Sequence, residues 1–274
     1  MLTTVLLLAT LQNPPQAACC DFASFAKDPL FATMHPLKEP TGWQPTDGVM
    51  VSYSATDGSK ASGFWVKPSG EDKACIIMVH EWWGLNDHIK ETAEKLSAET
   101  GYGVLAIDLY RGKVATDGGE ANQYMNGVKE DQAQAVVAGA VKAVKHGELY
   151  EASAVGTVGY CFGGGWSHKT AIAGGEDVDA CVVYYGMPDT RASSLKRLQA
   201  PVLMIWPTKD AWINASVVAS FKSAMKAAGK QLTVESYDAD HAFANPSSAR
   251  YNEEAASDAW RKTIAFYKEH LGGG

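Results

Sequence analysis

The sequence is poor in the features that carry a chain into a membrane or onto a polyanion. The apolar run at its N-terminus, within residues 1–11, is far short of the roughly 20 residues a spanning helix requires. Positive charge is in deficit: 24 Lys and Arg stand against 31 Asp and Glu, a formal charge of −7, so neither nucleic acid nor an anionic membrane surface is an expected partner. Cysteine is scarce, five in 274 residues, with no CxxC and no Cys/His spacing of a zinc site. Cys75 and Cys181 stand inside apolar runs that read as central strands, where they are small buried hydrophobes rather than disulfide partners. No linker follows residue 46, and a chain that is 46% hydrophobic and 20% charged is neither disordered nor fibrous.

At the N-terminus no Lys or Arg precedes the apolar run. The run itself, Gln12-Asn13-Pro14-Pro15, and then Ala17-Ala18 before Cys19 and Cys20 nevertheless have the layout of an export signal. The expected plan is a signal peptide over residues 1–18, an extended lead-in over 19–46 broken by Pro29, Pro36, Pro40 and Pro45, and one domain over 47–274. Export implies a periplasmic protein, or a lipid-anchored one if Cys19 or Cys20 is acylated, although Gln16 stands where a lipoprotein site has an aliphatic residue. A chain that keeps its N-terminus is cytoplasmic.

From Gly48 onward strand and helix patterns alternate. Residues 49–53 and 63–67, joined by Ala55-Thr56-Asp57-Gly58, predict an antiparallel hairpin. Continuous or nearly continuous apolar strands are predicted over 74–79, 104–107, 154–159, 180–185 and 201–206, with a last strand over 232–237. Helices are predicted near 87–98, 129–145, 216–228 and 253–271, and one more follows Cys161. The fold class is α/β: a mostly parallel sheet with helices on both faces, opened by the antiparallel hairpin.

In such sheets chemistry gathers at the carboxyl ends of the strands. Gly159-Tyr160-Cys161-Phe162-Gly163, following a β-branched strand and opening a helix, has the form of a nucleophile elbow with cysteine in the usual place of serine. A Gly-rich turn around a merely buried cysteine is the other explanation of the same residues. Two later strand ends carry Asp210 and His241, which completes the chain order nucleophile, acid, histidine. His241 suits proton transfer because imidazole titrates near neutral pH, and Asp210 suits the task of fixing its tautomer. Asp240 is a second candidate for the acid, and Asp238 to His241 a remote candidate for metal binding. An oxyanion needs two preorganised donors, for which the backbone N–H groups of Phe162 and Trp82 are placed. Trp82, Trp83, Trp206 and Trp212 all fall at strand ends and suggest an aromatic cleft rim.

Taken together, His80-Glu81-Trp82-Trp83-Gly84-Leu85-Asn86, Asp108-Leu109-Tyr110, Gly159 to Gly164, Tyr184-Tyr185-Gly186, Asp210 and His241-Ala242-Phe243 resemble the dienelactone hydrolase family of α/β-hydrolases, over about residues 48–271. The resemblance implies a Cys161, Asp210, His241 triad, hydrolysis of a small-molecule ester or lactone through a thioester, and no cofactor or metal. It also implies that Glu81 lies beside the nucleophile and helps switch thiol to thiolate. Arg111, Trp83, Tyr185 and Phe243 are the expected substrate-binding residues, and a monomer is the expected state. The chain departs from the family just after the histidine: Ala242 stands where a serine is expected and Asn245 where an arginine is, which implies a weaker preference for a carboxylate-bearing lactone. A non-catalytic or redox-sensing ligand-binding member of the same fold is the alternative.

Overall fold

Consecutive Ile, Met and Val side chains can be hidden only in a strand covered on both faces, and the continuously apolar runs accordingly form the middle of the sheet. The computed structural model describes residues 43–70 and 73–272. Its strands are β1 Val49–Ser54, β2 Lys60–Val66, β3 Cys75–Val79, β4 Gly103–Ile107, β5 Val155–Tyr160, β6 Ala180–Tyr184, β7 Val202–Pro207 and β8 Leu232–Tyr237. They make one sheet in the order β1-β2-β4-β3-β5-β6-β7-β8. Every residue of β3 to β6 is buried, whereas the edge strands β1 and β8 are partly exposed. β1 and β2 form the expected hairpin, with Val49 opposite Trp65, and β2 then pairs antiparallel with β4. Strands β3 to β8 are mutually parallel.

The helices are α1 Asp87–Thr100, α2 Gly118–Asn126, α3 Glu130–Lys145, α4 Phe162–Gly174, α5 Ala192–Leu195, α6 Ala215–Ala227 and α7 Glu253–Leu271. α1 packs beside α7, and α3 beside α4, so the sheet is covered by helices on both faces. α1 starts where the Asn86 side chain accepts from the Ile89 N–H and stops where Gly101 turns to φ 76°. Two helices have no counterpart in the sequence pattern. α2 opens on Gly118-Gly119, poor helix formers, and is started by Asp117, whose side chain accepts from the Gly119 and Glu120 N–H groups. α5 is a single turn.

The strand order positions the site. The chain leaves β3 toward β4 on one side and returns to β5 on the other, so a crevice opens where β3 and β5 end, the switch point at which ligands bind in doubly wound sheets. Glu81 and Trp82 follow β3; Cys161 follows β5. Cys75 and Cys181 are buried and free, on strands separated by β5.

The expected signal peptide and most of the expected lead-in lie outside the described residues. At the start of the described chain Trp43 packs edge-on against Phe64, and the N–H groups of Thr46, Asp47 and Gly48 all donate to the Glu94 carboxylate of α1, at 2.8 to 2.9 Å. No described helix is long and apolar enough to cross a membrane.

Candidate active site

The turn from β5 into α4 places Cys161 at φ 57° and ψ −118°, a conformation that non-glycine residues rarely adopt. The glycines around it are sterically required. A Cβ on Gly159 would lie 1.9 Å from the Gly163 carbonyl oxygen, and one on Gly163 would lie 2.2 Å from that of Val79 on β3. The turn is held by the Cys161 N–H, which donates to the Tyr184 carbonyl at 3.1 Å, and by the Gly164 N–H, which donates to the Cys161 carbonyl at 3.0 Å. The other non-glycine residues with positive φ among those described are Arg111, Tyr185 and Ala242. They follow β4, β6 and β8, so backbone strain is concentrated at one end of the sheet.

Asp210 lies on the loop after β7 and is fixed from two sides. Its Oδ1 accepts from the N–H groups of Trp212 and Ile213 at 2.8 and 2.9 Å, and its Oδ2 is 2.6 Å from His241 Nδ1. Both side chains are fully buried. Burial works against the Asp210 carboxylate, but the charge and hydrogen bond of His241 and the two backbone donors outweigh it and hold its pKa below the ordinary value. An ionised Asp210 fixes the imidazole proton on Nδ1. Asp240 is exposed, so the acid beside the ring is Asp210. No metal-binding group of His, Cys, Asp and Glu occurs among the described residues.

Cys161 is 1% exposed. Burial pushes its thiol pKa well above the ordinary value, and the carboxylates of Glu81 and Asp210 push in the same direction. Hydrogen bonds from the backbone of Phe162 and of Trp82 oppose them, which brings both expected oxyanion donors to the sulfur. The N-terminus of α4, whose dipole favours a thiolate, is therefore outweighed in the resting site. Glu81 is buried as well. Its Oε2 accepts a hydrogen bond from Asn245 Nδ2, and burial raises its pKa to about 7 against the opposing effects of that bond and of the His241 charge.

His80 locks the loop that carries Trp82. Its Nδ1 lies 2.6 Å from the Glu81 carbonyl and its Nε2 accepts from the Leu109 N–H at 3.1 Å, so the ring ties the end of β3 to the end of β4 as the neutral Nδ1–H tautomer. Burial lowers its pKa and favours that neutral form. Sequence reasoning placed His80 near the site without this task. It also saw in Asn245 only a missing arginine; its position four residues after His241 was the available signal.

The expected substrate-binding residues fall in different places. A cavity of about 1600 Å³ has Glu81, Tyr160, Tyr184, Tyr185 and Asn245 at its inner end and opens between α1 and α7. Tyr185 is thus on the cavity wall. Phe243 is fully buried and packs behind it, with ring centroids 5.8 Å apart, and Trp83 is buried against Trp82 at 4.7 Å. Arg111 is exposed, and its guanidinium donates to Gln132 of α3 at 3.0 Å instead of entering the cavity. Trp206 and Trp212 serve the Asp210 loop: the Trp206 indole donates to the Ile213 carbonyl at 2.6 Å, and Trp212 meets the His241 ring edge-on at 5.6 Å.

A mostly parallel sheet with a strained strand-to-helix turn at its switch point, and an acid and a histidine on later strand ends, is that of an α/β-hydrolase. Within that class the chain belongs to the dienelactone hydrolase family, whose profile matches residues 61–271. It is 30% identical over 232 residues to Protein usf of Aquifex pyrophilus, with 82% of this chain and 99% of that protein aligned. A protein of Aquifex aeolicus assigned as a carboxymethylenebutenolidase is 28% identical over the same shares of the two chains. Among solved structures, an assigned dienelactone hydrolase of Klebsiella pneumoniae superposes with a TM-score of 0.69 at 26% identity, covering 82% of this chain and 100% of that one.

Proposed function

We propose that the protein hydrolyses carboxylic esters or lactones by nucleophilic catalysis at Cys161. His241 Nε2 takes the thiol proton as the sulfur attacks the substrate carbonyl, and Asp210 stabilises the imidazolium that forms. The negative oxygen of the tetrahedral intermediate is bound by the Phe162 and Trp82 N–H groups. Collapse breaks the C–O bond, His241 returns its proton to the leaving alkoxide, and a thioester remains. A water molecule, deprotonated by His241, then attacks the thioester; the acid leaves and the thiol regains its proton. No cofactor enters this cycle.

The observation that carries this reading is the buried 2.6 Å pair of Asp210 and His241 at the same sheet end as a cysteine held at φ 57°. Glu81 acts as a brake in this scheme. Its carboxylate disfavours ionisation of the adjacent thiol, and substrate entering between Glu81 and the donors relieves that repulsion. A redox-sensing role fits less well, because sensor thiols are exposed and of low pKa, and Cys161 is neither. The test is turnover of p-nitrophenyl butyrate. Cys161→Ala and His241→Ala should each remove nearly all of it while unfolding at close to the parental temperature, and near-parental turnover in either variant would refute the assignment.

A further inference from the structure

Two phenol groups near Cys161 take no part in the chemistry above. Tyr110, on the loop after β4, and Tyr185, the first residue after β6, are 5% and 0% exposed, and neither hydroxyl has a hydrogen-bond partner among the described residues. Buried hydroxyls are ordinarily paired, because an unmet donor loses its water without replacement. Other buried phenols are paired, the Tyr184 hydroxyl with Thr263 Oγ1 at 2.7 Å and that of Tyr267 with the Thr157 carbonyl at 2.8 Å, although Tyr53, away from the site, also has a buried hydroxyl with no partner among the described residues.

The two unmatched hydroxyls share a neighbour. The Tyr110 ring lies 5.7 Å from that of Phe162, the residue next after Cys161, and the Tyr185 ring lies 5.1 Å from that of His241. Burial is the main cause that raises the pKa of both phenols, with the Cys161 charge adding to it, so both remain O–H donors. They approach Cys161 from opposite sides, since β6 adjoins β5 on one side and β4 lies beyond β3 on the other. Both are held from behind. The Tyr110 N–H donates to Asp108 Oδ1 at 2.8 Å and its ring meets His80 at 4.6 Å; Tyr185 is set at φ 37°, with its N–H on the Ile205 carbonyl at 2.9 Å.

Among the described residues, no Lys or Arg lines this inner end. Those on the outer cavity wall are already engaged: Lys90 with Asp87 at 3.2 Å, Lys95 over the Trp260 ring at 4.6 Å, and Arg261 with Asp258 at 2.7 Å. A charged acyl group would meet the Glu81 carboxyl and no compensating partner. A neutral one bearing ether, keto or hydroxyl oxygens would meet the Tyr185 hydroxyl on the cavity wall and, at the far side of Cys161, that of Tyr110, which lies behind the wall.

We infer that Tyr110 and Tyr185 are substrate-binding residues that bracket Cys161 and select an uncharged, oxygen-bearing acyl group. The inference rests on Cys161 being the nucleophile. It is tested with three p-nitrophenyl esters: butyrate, methoxyacetate, in which an ether oxygen replaces one methylene, and monosuccinate, which adds a charge. The parent protein should prefer methoxyacetate to butyrate in kcat/KM by about fivefold more than hydroxide ion does, a factor typical of one added hydrogen bond, with monosuccinate the poorest of the three. Tyr110→Phe and Tyr185→Phe should each shrink that excess several-fold. An excess absent from the parent, an excess surviving in both variants, or monosuccinate as the best substrate would overturn the proposal. The parent's own ratio decides the matter should a variant fail to fold, as read by its melting temperature. Failure of the hydrolase reading is distinguishable, because all three esters would then be untouched by the parent or still hydrolysed by Cys161→Ala.

Discussion

Glu81 ties the chemistry of single residues to stability. Its carboxyl is buried against a neutral amide, and its folded pKa of about 7 lies above the 4.5 of a free side chain. The unfolded chain releases this proton at about pH 4.5 and the folded chain at about 7. The stabilisation that comes with the proton is complete below pH 4.5 and lost as pH rises to 7, a difference on the order of 3 kcal/mol. Glu81→Gln keeps an acceptor for Asn245 and cannot ionise. Urea midpoints at pH 5 and pH 8 should therefore differ less in that variant than in the parent, and an unchanged difference would show that Glu81 ionises freely in the fold. The same carboxylate opposes the thiolate, so Glu81→Ala should lower turnover yet make Cys161 react faster with iodoacetamide, in a background lacking Cys75 and Cys181. Slower or unchanged alkylation would reduce Glu81 to shaping the loop of Trp82. Asp210→Asn should lower kcat by a factor on the order of 10⁴, the effect of a wrong imidazole tautomer. If Asp240→Asn is the crippling change, the acid has been misassigned.

The elements that matter most are the elbow and the loop facing it. A methyl group on Gly163 would sit 2.2 Å from the Val79 oxygen and 2.4 Å from the His80 oxygen, both backbone atoms of the neighbouring strand end. Gly163→Ala should therefore destabilise by about 3 kcal/mol or more, and a melting temperature near the parental one would mean that β3 can move away. His80 holds the other half of the oxyanion site. His80→Phe keeps a ring but loses both hydrogen bonds that tie β3 to β4, so kcat should fall by about 10² with KM little altered, as when one oxyanion donor drifts. Unchanged kcat would show that other contacts hold Trp82. The central strands were legible because each is a continuous apolar run, and the elbow because its glycine spacing is a local steric demand. α2 was not legible, since its identity lies in the Asp117 cap rather than in any apolar periodicity.

Across the whole molecule, the candidate site draws on the loops after β3, β4, β5, β6, β7 and β8, so it cannot outlive the sheet. Urea unfolding followed by tryptophan fluorescence should coincide with the loss of ester hydrolysis; activity lost at clearly lower urea would show that the loops open before the sheet does. From the sequence alone came the class of fold and the order of Cys161, Asp210 and His241, which follow from apolar patterning, local sterics and position at strand ends, and the family, which came from the resemblance of its motifs taken together. Tertiary structure decided the rest: that Asp210 rather than Asp240 meets the imidazole, that Arg111 turns to Gln132, and that the hydroxyls of Tyr110 and Tyr185 stay unmatched beside Cys161. Asn245 reaches Glu81 across 164 residues of chain, and His80 joins two strand ends 29 residues apart. Such contacts depend on the direction in which a side chain leaves its loop, and that is set only when the strands have taken their places in the sheet.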